Sequence, residues 1–274
     1  MKRMGKNKLW LSVELDRLAI GYRKGRNAIK VVAKDISSVA EGGSLTCLVG
    51  RNGEGKSTLL RTVAGLQPSL GGKVLVCGKD IARMGRSERS RTVSVVLTEK
   101  PDLERTTVEE MVEMGRMPYT GFLGRLSDAD RIVVNQSMEM AGVSDMAQRL
   151  FHTLSDGERQ KVMIARALAQ QTPVMLLDEP TAFLDFPNRI GLMRMMAGIA
   201  HSEGKAVLLS THDIDVALAL ADRLWVMDNG RMVSGTPRDL ASEGFLNQFV
   251  KDSGASFDPE TLSFKISQSD DTVY

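Results

Sequence analysis

The stretch GRNGEGKST (50–58) sets three glycines around a short loop and ends it with a lysine, a serine and a threonine. This is the G-x-x-x-x-G-K-[ST] pattern, in which Gly50, Gly53 and Gly55 free the backbone to wrap phosphate oxygens with its N–H groups. Lys56 can then reach the terminal phosphates and the Ser57 hydroxyl can ligate Mg²⁺, while Arg51, Asn52, Glu54 and Thr58 complete the loop and its exit. A nucleoside triphosphate with Mg²⁺ is the ligand such a loop takes. A glycine-rich turn with an incidental lysine is the plainer reading. The apolar run LTCLV (45–49) ahead of the loop and the helical pattern behind it favour phosphate binding.

A second chemical cluster ends the apolar run in VMLLDEP (174–180). Open α/β sheets bind ligands at the C-terminal tips of their strands, so Asp178 is placed to hold Mg²⁺, directly or through water. Glu179 points away from it and can accept a proton from an attacking water, an action worth roughly 10²–10⁴ in rate. Alone, Asp-Glu-Pro after a strand reads as a turn; the upstream loop makes it a catalytic pair. His212, in LLSTHDID (208–215), closes another apolar run. A lone histidine there is commonly structural, but three strand ends bearing a phosphate loop, an acidic pair and a histidine form one polar crevice. In it His212 can hydrogen-bond the γ-phosphate or the water.

The third cluster is LSDGERQKV (154–162). Ser155 and Glu158 form a capping box for a helix that MIARALA continues, and a helix start leaves backbone N–H groups without intrahelical partners. Those donors and the positive end of the helix dipole suit an anion, here at Ser155, Asp156, Gly157 and Glu158. The loop at 50–58 already supplies a complete phosphate site, so this helix start serves a different phosphate.

These residues need a sheet to hold them. Apolar, β-branched runs at 45–49, 92–97, 174–177 and 206–210 alternate with helical patterns, which predicts an α/β fold with a mostly parallel core sheet. Residues up to about 43, and 72–81, read as strands and turns and predict a small antiparallel β portion. Leu59, Leu60, Val63 and Ala64 share a helix face that Gly65 ends. Residues 104–153 turn helical, with Thr107/Glu110 and Ser127/Asp130 as start signals, and form an inserted helical subdomain. Its first helix buries Val108, Met111, Val112 and Gly115, and its second Ile132, Val133 and Met140. Asn229-Gly230 between apolar runs predicts a two-residue hairpin.

Composition excludes several classes. With 274 residues, 42% of them apolar, 26% charged, and a net charge of +2, the chain can bury a full core and carries no strong field for nucleic acid. Its apolar runs fall far short of the roughly 18 residues of a membrane span, and its basic start lacks the apolar stretch of a secretory signal, which predicts a cytoplasmic location. Cys47 and Cys77, each in a β-like segment, read as small apolar residues rather than a disulfide.

Taken in order, these motifs resemble those of the ATP-binding cassette (ABC) ATPases of transporters, over roughly residues 11–240. GRNGEGKST resembles the Walker A loop, LSDGERQ the family signature, VMLLDEP the Walker B strand, TAFLD with Asp185 the D-loop, and His212 the switch histidine. Tyr22 lies where the family stacks an aromatic ring on adenine, although core packing explains a tyrosine there as well. The resemblance implies a P-loop cassette over residues 1–242, a C-terminal extension of unassigned role at 243–274, and ATP with Mg²⁺ as ligands. It also answers whose phosphate the signature helix receives: two copies pair head to tail, and each signature caps the ATP on the other's loop.

Three positions depart from the family pattern. Asp156 stands where glycine is usual, Glu54 replaces a small residue and is expected to point into solvent, and the Q-loop glutamine is absent. Thr98 takes its place, with Glu99 beside it, and a threonine hydroxyl can reach Mg²⁺ or an ordered water. VEEMVEMGRMPYTGFLGRLSDAD (108–130) and PTAFLDFPNR (180–189) resemble the ATPases of ferric siderophore, haem and cobalamin importers. This implies a peripheral subunit on the cytoplasmic face of the plasma (inner) membrane, beneath two permease subunits and served indirectly by a substrate-binding protein. A soluble ABC ATPase that remodels protein or nucleic-acid complexes would use the same core, as would a non-catalytic regulator. Lys56, Asp178, Glu179 and His212 argue against the latter.

Overall fold

The computed structural model describes residues 12–24, 28–98, 103–121, 124–182, 184–250 and 255–266. Glu99, Phe122, Leu123 and Phe183, parts of the Q-loop, helical-insert and D-loop readings, lie outside the described residues.

Strands β1 (Val13–Lys24) and β2 (Ala28–Ala40) pair antiparallel, and β3 (Ser44–Gly50) begins a second sheet. Helix α1 (Lys56–Val63) leaves the glycine-rich loop and stops where Gly65 takes φ 66°, as its sequence predicts. Strands β4 (Gly71–Val76) and β5 (Lys79–Asp80) return to the first sheet, whose order β2-β1-β4-β5 is antiparallel throughout. Helix α2 (Arg86–Thr92) leads into β6 (Val93–Val96). Thr92 therefore closes a helix rather than opening a strand, and its hydroxyl donates back to the Glu88 carbonyl at 2.8 Å.

Helices α3 (Val108–Glu113) and α4 (Asp128–Ala141) both start on the capping boxes read from sequence, Thr107/Glu110 and Ser127/Asp130. Helix α5 (Asp156–Ala169) does the same on Ser155/Glu158 and leads to β7 (Val174–Leu177). Then come α6 (Phe186–Glu203), β8 (Ala206–Thr211), α7 (Ile214–Leu220), β9 (Arg223–Asp228) and β10 (Arg231–Gly235). The β9–β10 turn holds Asn229 at φ 49° and Gly230 at φ 75°, the two positive angles the Asn-Gly pair predicts. Helices α8 (Pro237–Ser242) and α9 (Phe245–Val250) precede a hairpin of β11 (Ala255–Asp258) and β12 (Ser263–Ile266).

The second sheet has the order β10-β9-β3-β8-β7-β6, with β9, β3, β8, β7 and β6 parallel and β10 antiparallel at the edge. Both of its faces are covered, so alternate residues of one strand enter different cores. Cys47, Val49, Leu177 and Leu209 face α5 and α6, whereas Leu48, Leu176, Leu208 and Trp225 face α1 and the first sheet. Leu246 and Phe257, from the C-terminal segment, are buried in the same core as α5.

The helical insert corrects one expectation. Val108, Met111 and Val112 of α3 are buried as predicted, and a Cβ on Gly115 would collide with the Arg166 carbonyl. In α4, however, the buried side is Val134, Ser137, Met138 and Ala141, while Ile132 and Met140 are exposed. The ion pair that sinks Asp130 against Arg116 sets the helix rotation and turns the other apolar stripe outward. Cys47 is buried in β3, where burial pushes its thiol pKa far up. Cys77 lies just past β4, in a turn at φ 50°, rather than within a strand. No helix among the described residues is long and apolar enough to cross a membrane.

Candidate functional site

Parallel order decides the site. Strands β3, β8, β7 and β6 are consecutive neighbours, so their C-terminal ends open along one edge of the sheet. That edge receives the phosphate loop after β3, His212 after β8, Asp178 and Glu179 after β7, and Thr98 after β6. A crevice at such an edge is where α/β sheets bind ligands.

The loop is already shaped for phosphate. Gly53 and Gly55 have φ of 85° and 101°, and a Cβ on Gly55 would collide with Val32 Cγ1. A Cβ on Gly50 would come 2.7 Å from the Met227 carbonyl oxygen. Lys56 is only 5% exposed; its ammonium donates to the carbonyls of Gly50 at 2.8 Å and Arg51 at 3.3 Å, and stands 3.8 Å from Glu179 Oε1. The charge is thus held at the loop's centre by two neutral carbonyls, which a phosphate can outcompete, with the Glu179 carboxylate at longer range.

A cavity of about 370 Å³ lies over this loop, lined by Tyr22, Lys30, Val31, Val32, residues 52–58 and Glu179. Tyr22 sits at its mouth, half-exposed, with the Lys30 ammonium 5.8 Å from its ring centre. Glu54 lines this cavity and is half-buried, contrary to its expected place in solvent. Left-handed glycines flank it on either side, at 53 and 55.

Asp178, 4% exposed, is held from three neighbouring elements. The Ser57 hydroxyl donates to its Oδ1 at 3.0 Å and the Ser210 hydroxyl to the same oxygen at 2.8 Å, while Thr98 Oγ1 donates to its carbonyl at 3.0 Å. The proton of Thr98 is therefore engaged by the backbone, although its oxygen keeps lone pairs. Ser57 and Asp178 together present a hydroxyl and a carboxylate, the hard oxygen donors Mg²⁺ takes. Glu179 has φ 48°, a left-handed angle unusual for a glutamate, and its N–H donates to Ser210 Oγ at 2.8 Å.

Other candidate residues stand apart from the cavity. His212 is exposed just past β8, and its neighbour Asp213 is tied to Arg189 of α6 at 2.6 Å. Asp185 caps α6, accepting the Asn188 N–H at 3.0 Å. Arg51 donates to the Phe249 carbonyl at 3.2 Å and lies over the Phe249 ring at 6.0 Å, joining the loop to the C-terminal segment. Residues 155–158 do not line the cavity. Ser155 Oγ donates to Glu158 Oε2 at 2.8 Å and accepts the Glu158 N–H at 3.3 Å, at an exposed helix start. The Ser155 backbone N–H, which donates to Glu158 Oε2 at 2.7 Å, then the Ser155 hydroxyl and Arg149 at 3.0 Å, hold the Glu158 carboxyl below its usual range.

Sequence reasoning passed over Ser210, Thr181, Asp213 and Arg189. Of these only Ser210 left a signal, a serine inside an apolar strand, a placement a buried core tolerates only when the hydroxyl is bonded.

Fold and site together define a phosphate-loop ATPase with the ATP-binding cassette architecture. The ABC transporter sequence pattern matches residues 33–182, and the chain belongs to that family. It is 31% identical to the iron(3+)-hydroxamate import ATP-binding protein of Bacillus subtilis over 91% of this chain and 92% of that one. It is 41% identical to the cobalamin import ATP-binding protein of Halobacterium salinarum over 76% of this chain, a match that spans 52% of that relative's length. Among solved structures, an ATP-binding cassette caught as a dimer in a post-hydrolysis state with ADP and phosphate aligns with a TM-score of 0.71 and 26% identity. That alignment covers 82% of this chain and 98% of the other.

Proposed function

We propose that the chain is the ATP-hydrolysing subunit of an importer for metal chelates of the ferric siderophore, haem or cobalamin type. Two copies work head to tail beneath two permease subunits on the cytoplasmic face of the plasma (inner) membrane, with a substrate-binding protein as an indirect partner. The observation that carries the motor reading is the 3.0 Å contact of Ser57 with Asp178, which brings the phosphate loop and the acidic strand end to one point. The import reading draws on the relatives and on the helical-insert motif.

In this mechanism the loop N–H groups and the Lys56 ammonium take the β- and γ-phosphates, and Tyr22 supports the base. Mg²⁺, held by Ser57 and Asp178, would offset charge on the transferring phosphoryl group. Glu179 accepts the proton of the attacking water, and His212 hydrogen-bonds the γ-phosphate once the dimer closes. Ser155 and the backbone at Gly157 reach that phosphate from the second copy, with Asp185 beside the same interface. Hydrolysis removes the contact that holds the pair shut, so the chain cycles between open and closed states.

Glu179→Gln tests the motor. The variant is expected to bind ATP, to accumulate as an ATP-dependent dimer on size exclusion, and to lose about a hundredfold in turnover. Turnover at the wild-type rate removes Glu179 as the base. For the cargo, phosphate release by the chain with its permease is measured against binding proteins loaded with ferric siderophore, haem or cobalamin. Absence of stimulation by all three defeats the import assignment.

A further inference from the structure

Ser210 is fully buried, at the next-to-last position of β8 and between β3 and β7 in the sheet. A serine hydroxyl has one proton and two lone pairs. Here the proton goes to Asp178 Oδ1 at 2.8 Å, and a lone pair takes the Glu179 N–H at 2.8 Å. One atom thus bonds two consecutive residues of the acidic strand end, on either side of the point where the chain turns left-handed at Glu179 (φ 48°). A non-glycine residue holds that conformation only where its surroundings over-determine it. With the N–H satisfied at Ser210, the left-handed turn brings the Glu179 carboxylate within 3.8 Å of Lys56 Nζ. The bond from the Ser210 hydroxyl to Asp178, with the one from Ser57 to the same oxygen, fixes which carboxylate oxygen of Asp178 faces the phosphate loop.

We propose that Ser210 is a positioning residue for ATP hydrolysis, its hydroxyl aiming the Glu179 carboxylate and orienting Asp178 in a single arrangement. The inference rests on the roles given above to Asp178 and Glu179. Ser210 itself is fully buried, and among the described residues its hydroxyl bonds these two groups.

In the full-length chain, Ser210→Ala removes both bonds and leaves the Glu179 N–H without its acceptor. The turnover number is expected to fall about tenfold while KM for ATP changes by less than about threefold, the loss of one oriented hydrogen bond rather than of the binding site. Amide exchange at Glu179, followed by mass spectrometry on a peptide covering 176–182 without nucleotide or metal, is expected to rise about tenfold. A wild-type turnover number overturns the proposal. So does unchanged exchange at Glu179, because the hydroxyl then does not hold that N–H. If Ser210→Ala does not fold, Ser210→Cys keeps a side chain of similar shape with only a weak donor, and wild-type kinetics in it overturn the proposal equally. Glu179→Gln, assayed alongside, separates the two levels. A fully active Glu179→Gln removes the reading of Glu179 itself, whereas a slow Glu179→Gln beside a wild-type-like Ser210→Ala removes Ser210 alone.

Discussion

Lys56 shows how much of the site is decided within single residues. Its ammonium is desolvated and bonded to the loop's own carbonyls, with Glu179 at 3.8 Å, so a phosphate offers it stronger acceptors than the carbonyls it holds. The loop, Asp178 and Glu179 were legible because their chemistry is local: a handful of adjacent residues specifies both backbone shape and charge. The half-buried place of Glu54 was not legible, because which side of a loop a residue lines is a property of the folded loop. Ser210 went unread because its value comes from partners on a distant strand. Asp156 carries the prediction at this scale. It sits at the first position of α5, exposed, where its charge suits the helix dipole but opposes an arriving γ-phosphate. Asp156→Gly in the Glu179→Gln background is expected to tighten ATP-dependent dimerisation about threefold, a surface-sized electrostatic effect measured by analytical ultracentrifugation. Weaker dimerisation means that Asp156 aids the closed state.

At the scale of elements, α4 buries a different face from the one its apolar spacing predicts. Ile132, Val133 and Met140 form one stripe and Val134, Met138 and Ala141 another, and apolar spacing alone does not choose between them. The choice is made by Asp130 and Arg116, whose ion pair at 2.9 Å lies inside the joint between the helical insert and the core. Arg116 also donates to the Ala169 carbonyl at 2.8 Å and to Gln171 Oε1 at 2.9 Å, and it stacks on Tyr119 with 4.0 Å to the ring centre. Hydrogen bonds from Ser127, then Arg116, hold the Asp130 carboxyl down to about 2. Because the folded pKa lies below the unfolded value, the stabilisation is complete above about pH 4 and is lost as pH falls through about 2. Asp130→Asn, which leaves the buried guanidinium unpaired, is expected to cost about 3 kcal/mol at pH 7 by urea unfolding. The gap from wild type is expected to narrow by about 2 kcal/mol as the pH approaches 2. A gap that stays constant over this range would place the stabilisation in packing instead of charge.

At the scale of the whole molecule, the cavity over the phosphate loop is walled by the loop, the first sheet and Glu179, while the signature helix start is exposed elsewhere on the chain. The parallel order of the core strands was legible from alternating patterns, because buried strands and crossover helices each write a distinct period into the sequence. The tail was not. Leu246 and Phe257 join the main core and Arg51 holds the Phe249 carbonyl, but scattered apolar residues in short elements carry no period that announces it. The separation of loop and signature makes the two-copy grip testable without a structure of the complex. Lys56→Ala disables a chain's loop, and Ser155→Arg fills its signature with a bulky cation. Alone, each variant is expected to fail in ATP-dependent dimerisation in the Glu179→Gln background, since both of its composite sites are damaged. Mixed, a pair of unlike chains contains one site in which an intact loop from the Ser155→Arg copy meets an intact signature from the Lys56→Ala copy. An ATP-dependent dimer retaining about one nucleotide is therefore expected only in the mixture, as isologous pairing requires. If each signature served the ATP of its own chain, neither copy would hold an undamaged site and mixing would restore nothing.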